Sequence, residues 1–299
     1  MAKEKGLLAN TFSLSQKATA LRLMSHSIAK SLQVGNFRSF YKGRGVDYAG
    51  AREYLYGDDI RTIDWNVTAR MTKPYIKLFE EDKELIVFLL VDRSASMETG
   101  SGAKSRIETA TEAAALVLFA SMQNSSPIGA VLFNGETEFS CKPKTGKDHA
   151  MVLFSKLDAR PVRTKQGTSL AHALRGSSIL LRNRSLVLIF SDFRCSGYEK
   201  ELSLLAAKHD VIAITIQDPS DFSLPQIGMI DFFDPETQVK KALPTISKTF
   251  QKEWAAHNQR HFERWKSFCL KHGVETIVLS TDTDPSQELI RYFSTRSKK

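Results

Sequence analysis

The apolar run Leu-Ile-Val-Phe-Leu-Leu-Val over residues 85–91 ends in Asp92, with Ser94 and Ser96 at alternate positions behind it. A carboxylate followed by neutral hydroxyls is a set of hard oxygen donors. It suits Mg²⁺, which takes oxygen ligands, keeps several waters and seldom sits in an all-protein cage; Mn²⁺ and Ca²⁺ are the alternative cations. A second apolar run, Ser185 to Phe190, leads into Ser191-Asp192. Between the two, Gln166-Gly167-Thr168-Ser169 precedes an apolar stripe of Leu170, Ala173, Leu174 and Leu181, so Thr168 stands where a loop enters a helix. Three loops thus supply Asp92, Ser94, Ser96, Thr168 and Asp192, all oxygen donors.

Such loops converge only if the strands before them lie side by side. The run before Asp92 is rich in branched side chains and lacks period-2 alternation, as expected of a parallel strand covered on both faces. Ligands of such sheets bind beyond the carboxyl ends of the strands. After residue 84 the pattern alternates. Helices are expected at 104–123, 146–158, 168–181, 198–208 and 245–272 and from 285. Strands are expected at 127–133, 136–141, 185–191, 211–217 and 274–279. Asp218-Pro219 reads as a stop and the stretch to about 243 as irregular. The expected fold class is α/β: a Rossmann-like, doubly wound, mostly parallel sheet of five strands plus one hairpin partner, with helices on both faces. Residues 84–299 form this domain.

Two segments precede it. Leu14, Ala18, Leu21, Met24, Ile28 and Leu32 recur at three- and four-residue intervals, so residues 1–36 carry an amphipathic helix whose stripe packs on the rest of the protein. Residues 37–83 mix glycines, aromatics and charges, which predicts a small β-rich accessory element of short strands and turns. Arg52, Asp59, Asp64 and Trp65 are expected there as a hydrogen-bonded bracing network.

Composition sets the outer bounds. With 42% hydrophobic and 25% charged residues, the 299-residue chain can bury a large core. Cys141, Cys195 and Cys269 are odd in number and show no C-x-x-C spacing, which argues against a disulfide framework or a zinc knuckle. No apolar run reaches the roughly 20 residues that cross a bilayer, and Met-Ala-Lys-Glu-Lys lacks a signal-peptide core; a cytoplasmic location is expected. The net charge of +9 favours acidic partners.

D-x-S-x-S, then G-T, then S-D after a strand resembles the metal-ion-dependent adhesion site of von Willebrand factor A domains. Arg52-Glu-Tyr-Leu-Tyr-Gly-Asp-Asp-Ile-Arg-Thr-Ile-Asp-Trp-Asn66, Lys77-Leu-Phe-Glu-Glu-Asp-Lys83, Leu224-Pro225 and Asp234-Pro-Glu-Thr237 resemble the bacterial domain-of-unknown-function 58 proteins. The resemblance implies a Mg²⁺-bearing, non-catalytic protein-interaction domain. In it Ser94, Ser96 and Thr168 would bind metal through hydroxyls, and Asp92 and Asp192 largely through bound waters. It further implies a MoxR-type AAA+ ATPase as partner, in the folding, assembly or activation of other proteins. Longer relatives carry membrane-spanning segments.

A cation with few anionic ligands stays electrophilic, so the expected partner offers a carboxylate. Arg93 and Arg194 flank the aspartate loops and Arg160, Arg163 and Lys165 precede Thr168; Arg93, Arg163, Lys165 and Arg194 are therefore the partner-binding candidates. Two other functions compete. A metal-assisted hydrolase could use the same ion, but no histidine or glutamate is expected near the loops to serve as base. Binding of nucleic acid through basic residues among aromatics, as in Phe37-Arg-Ser-Phe40-Tyr41-Lys42 and Phe262-Glu-Arg264-Trp265-Lys266, lacks any zinc-finger or RNP-type motif and is disfavoured. His257 and His261, four apart on the long helix, are expected as solvated side chains, because Asn258 stands where a zinc hydrolase needs glutamate. Gly100 to Ser105 fails the phosphate-loop pattern at Ala103.

Overall fold

A computed structural model describes residues 6–8, 25, 28–29, 32, 47–80, 85–161, 170–233 and 240–296. The chain divides into two compact units, 37–84 and a larger one that groups 1–36 with 85–299.

In the smaller unit, β1 (Asp47–Glu53) pairs antiparallel with β2 (Tyr75–Glu80), with an irregularity between Tyr48 and Gly50. Between them lies the one-turn helix α1 (Trp65–Thr68), whose first amides, of Asn66 and Val67, donate to the Asp64 carboxylate. Arg52 forks onto both oxygens of Asp58 at 2.7 and 2.8 Å, and Asp59 accepts from the Arg61 amide. The local side chains thus brace their own turns, the usual work of Asp beside unpaired amides. Trp65, at 69% exposed, stands outside that network, a correction to the expected set.

The larger unit is a mixed α/β structure around a six-stranded sheet. Its strands are β3 (Val87–Asp92), β4 (Ile128–Asn134), β5 (Glu136–Lys144), β6 (Leu186–Ser191), β7 (Asp210–Gln217) and β10 (Glu275–Ser280), in the order β10-β7-β6-β3-β4-β5. All neighbours are parallel except β5, the hairpin partner at the edge. Every residue of β3, β4 and β6 is buried, which is why their sequences lack alternation.

Helices cover both faces. Phe88 and Leu90 of β3 share one core with α4 (Leu170–Leu180), α5 (Glu199–Ala206) and Trp265 and Cys269 of α6 (Lys248–Lys271). The other face takes α2 (Arg106–Gln123), which packs on α3 (Lys147–Asp158) and α7 (Pro285–Arg296). From Ala113 to Ala120 α2 is buried all round, so small alanines let it lie close to the sheet. Its start is a capping box, Ser105 with Glu108.

Ile28 and Leu32 of the N-terminal stripe, with Ala29 beside them, are buried, at 0–3% exposed. Gln123 donates to the Ser25 hydroxyl and Asn124 to the Ala29 carbonyl; these residues dock on the end of α2. The stretch expected to be irregular contains an antiparallel hairpin, β8 (Met229–Phe233) with β9 (Lys240–Pro244). Its first residue, Met229, is apolar yet exposed. Among the described residues no helix is long and apolar enough to cross a membrane.

Candidate metal centre

The chain enters the sheet at β3, adds β4 on one side and then returns to place β6 on the other. The crevice of such a sheet lies where the order reverses, here between the carboxyl ends of β3 and β6. The parallel register sets Val91 beside Phe190, so the next residues, Asp92 and Ser191, emerge together. Their contact is direct: Ser191 Oγ donates to Asp92 Oδ2 at 2.6 Å.

Asp92 is fully buried. Its other oxygen accepts the Ser94 amide at 2.9 Å, which turns the chain sharply and starts the helical turn Ala95–Glu98. That turn brings Ser94 Oγ within 3.2 Å of Ser96 Oγ. On the neighbouring loop, Asp192 Oδ1 accepts the Arg194 amide at 3.1 Å, while Oδ2 is buried and has no hydrogen-bond partner among the described residues. Phe193 between them sits at φ +52°, a conformation that is strained for a bulky side chain. It is held there by burial against Trp265 and Tyr198, with ring centroids 5.1 and 5.9 Å away.

Electrostatics favour a cation. Burial first, and the negative charge of Asp192 second, push the Asp92 carboxyl up to about 7, against the opposing pull of hydrogen bonds from Ser191 and Ser94. A buried carboxylate with one oxygen unpaired among the described residues, beside a second carboxylate raised in pKa, is the condition a small hard cation relieves. The donor set of two carboxylates and clustered hydroxyls therefore fits Mg²⁺. Among the described residues no three His, Cys, Asp or Glu side chains converge on one point.

Asp92, Ser94, Ser96 and Asp192 thus lie at one sheet edge. Thr168, Arg163 and Lys165 lie outside the described residues. Arg93 corrects the expected cationic face: it is 4% exposed, donates to the carbonyls of Lys156 (2.8 Å) and Ala159, and lies 3.4 Å from Glu138. Asp92 and Ser94 on either side of it face the crevice loops, and the guanidinium turns into the protein to cap the end of α3. Arg194 is about one-third exposed and pairs with Asp221 at 2.6 Å.

Sequence reasoning missed several participants. Ser191 read only as a strand end. His261, expected as a solvated side chain, has Nε2 3.1 Å from the Phe193 carbonyl; with Asp192, Arg194, Asn258 and Trp265 it lines a cleft of about 30 Å³, room for a water or two. Asp218 proves to be a hub: it accepts from the Ser101 amide, Thr281 Oγ1 and both Ser220 donors. Burial pushes its carboxyl up, yet those hydrogen bonds outweigh burial and hold it below the usual carboxylate range. The D-P-S-D spacing, an aspartate-based capping box, was the available signal.

Several known proteins are similar to this chain. An uncharacterized protein of Mycobacterium tuberculosis is 29% identical over 290 residues, spanning 94% of this chain and 90% of its own length; one from Mycobacterium bovis matches to the same extent. In the solved structure of an aerotolerance-related membrane protein from Bacteroides fragilis, carrying mutations to serines, the likeness covers 72% of this chain and 98% of that one at 16% identity, with a TM-score of 0.47. Residues 50–264 match the family model described as protein of unknown function DUF58, and the chain belongs to that family.

Proposed function

We propose that the larger unit is a von Willebrand factor A-type domain with a metal-ion-dependent adhesion site, working as a non-catalytic, Mg²⁺-dependent protein-interaction module. The observation that carries this reading is the arrangement around Asp92: its two oxygens are committed to Ser191 and the Ser94 amide, the Ser94 and Ser96 hydroxyls lie together, and Asp192 keeps one buried oxygen unpartnered among the described residues. Ser94, Ser96 and, by resemblance, Thr168 would hold the ion directly, with Asp92 and Asp192 acting through waters. When bound, the ion supplies an electrophilic position that a partner's Asp or Glu can occupy. Arg194 stands one-third exposed beside Asp192 to receive that carboxylate. By family resemblance the partner is a MoxR-type AAA+ ATPase or its client, in the assembly or activation of other proteins.

Calorimetric titration with Mg²⁺ tests the site, and capture from a cytosolic extract with and without chelator tests the role. Ser96→Ala and Thr168→Ala should keep the fold, weaken Mg²⁺ binding and abolish chelator-sensitive capture. Capture that is unchanged in both variants overturns the proposal.

A second reading, a metal-assisted hydrolase, gains one observation, since His261 and Asp192 line the same cleft. Turnover of generic phosphoesters or peptides that is lost in His261→Asn and Asp92→Ala would favour it.

A further inference from the structure

Asp221 lies outside every loop that carries a candidate ligand, yet both aspartate loops end on it. It closes the helical turn Pro219–Asp221 beyond β7 and is 5% exposed. Arg106 Nη2 and Arg194 Nη2 both meet its Oδ1 at 2.6 Å, and its Oδ2 accepts the Asp218 amide at 2.9 Å. Each arginine is fastened to one ligand loop. Arg106 holds the loop after β3: its amide donates to the Thr99 carbonyl and its guanidinium to Thr99 Oγ1, and Thr99 Oγ1 in turn donates to the Ser96 carbonyl at 2.7 Å. Arg194 holds the loop after β6, since its own amide is the donor that orients Asp192.

We propose that Asp221 is a positioning residue that ties the Ser94–Thr99 loop and the Asp192–Arg194 loop to one another through Arg106 and Arg194, holding the hydroxyls of one and the carboxylate of the other at the spacing a divalent cation requires. This rests on the cation reading above. One carboxylate oxygen shared by two guanidiniums ties both loops to a single point. Charge-assisted hydrogen bonds of this length are strong and directional, and the burial of Arg106 (4%) beside Asp221 keeps water from replacing them. Asp218 adds rigidity, because it joins the same corner to Ser101 and to Thr281 past β10. Residues that orient metal ligands from behind commonly change metal affinity by about 10-fold to 100-fold when removed.

The test uses Mn²⁺ as the probe, with binding followed by electron paramagnetic resonance, and amide hydrogen exchange of the metal-free protein. Asp221→Asn should speed exchange in both segments, 93–99 and 192–197, leave the far ends of the strands protected, and weaken Mn²⁺ binding by about 10-fold or more. Arg194→Gln, which keeps the buried Arg106 pair, should loosen 192–197 alone and weaken Mn²⁺ by a smaller factor. A purely structural Asp221 would lower the unfolding temperature and leave Mn²⁺ affinity unchanged; that result in a folded D221N overturns the proposal. Should D221N fail to fold, wild-type Mn²⁺ affinity and exchange in R194Q overturn it equally. Absence of Mn²⁺ uptake by the wild type sinks the cation reading instead, and exchange in the metal-free variants then still decides whether the two loops are tied.

Discussion

Replacing the central carboxylate should stabilise the metal-free protein. Asp92 is fully buried with its carboxyl raised from 3.8 to about 7. At about 1.4 kcal/mol per pH unit, the ionised form is disfavoured in the folded chain by on the order of 4 kcal/mol, an upper bound. The sign follows from the raised value: the penalty is absent below about pH 4, grows through the window from 4 to 7, and is complete above it. Asp92→Asn removes the charge and keeps an oxygen for the Ser94 amide, but weakens the Ser191 hydrogen bond by about 1–2 kcal/mol. The net expectation at pH 8 in chelator is a gain of about 2 kcal/mol, or about 4–8 °C in Tm for a domain of this size. Scanning calorimetry at pH 8 and pH 4 measures it. Mg²⁺ at 100 times its Kd should add about 2.7 kcal/mol to the wild type and nothing to D92N. A D92N protein less stable than wild type at pH 8 without metal would refute the reasoning, as would an advantage that is the same at pH 4.

Other outcomes follow from the same geometry. Mg²⁺ affinity should rise with pH by up to about tenfold per unit below 7 and level off above it, because the cation displaces the proton of Asp92; titration calorimetry across pH 6–8.5 checks this. Gly129→Ala would place a Cβ 2.7 Å from the Pro143 nitrogen and 2.8 Å from the Cys141 carbonyl oxygen, backbone atoms that cannot swing away, so a loss of about 1–3 kcal/mol is expected in urea unfolding. Arg93→Ala strips the buried partner of two carbonyls and Glu138 and should lower stability by about 2–4 kcal/mol. Chelator-sensitive capture by the folded fraction should persist, since Arg93 does not reach the surface.

How much of this was legible in the sequence follows from which forces are local. Buried strands announce themselves by continuous apolar runs, so β4, β6 and β7 were readable to within one residue at each end and β3, expected from residue 84, to within three, and with them the α/β class. The place of Asp92 and Asp192 at the carboxyl ends of β3 and β6 was readable because a polar residue that ends a buried strand has only that end of the sheet to occupy. The β8–β9 hairpin was not, because its strands are only five residues long and the apolar residue that opens it, Met229, is exposed.

Side-chain direction was beyond reach. Arg93 and Arg194 stand in similar places, one residue and two residues past a candidate ligand aspartate, yet one folds inward onto the carbonyls that end α3 and the other reaches Asp221. Long cationic side chains take their direction from whichever acceptor lies within reach, and those acceptors come from segments 63 to 66 residues away for Arg93 and 27 for Arg194. Composition and periodicity alone determined that strands would be buried and that oxygen donors would follow two of them. Only the tertiary structure decided that Ser191 would align Asp92 and that Asp221 would bind both loops, because those contacts depend on strand order and register, which join residues with no relation along the chain.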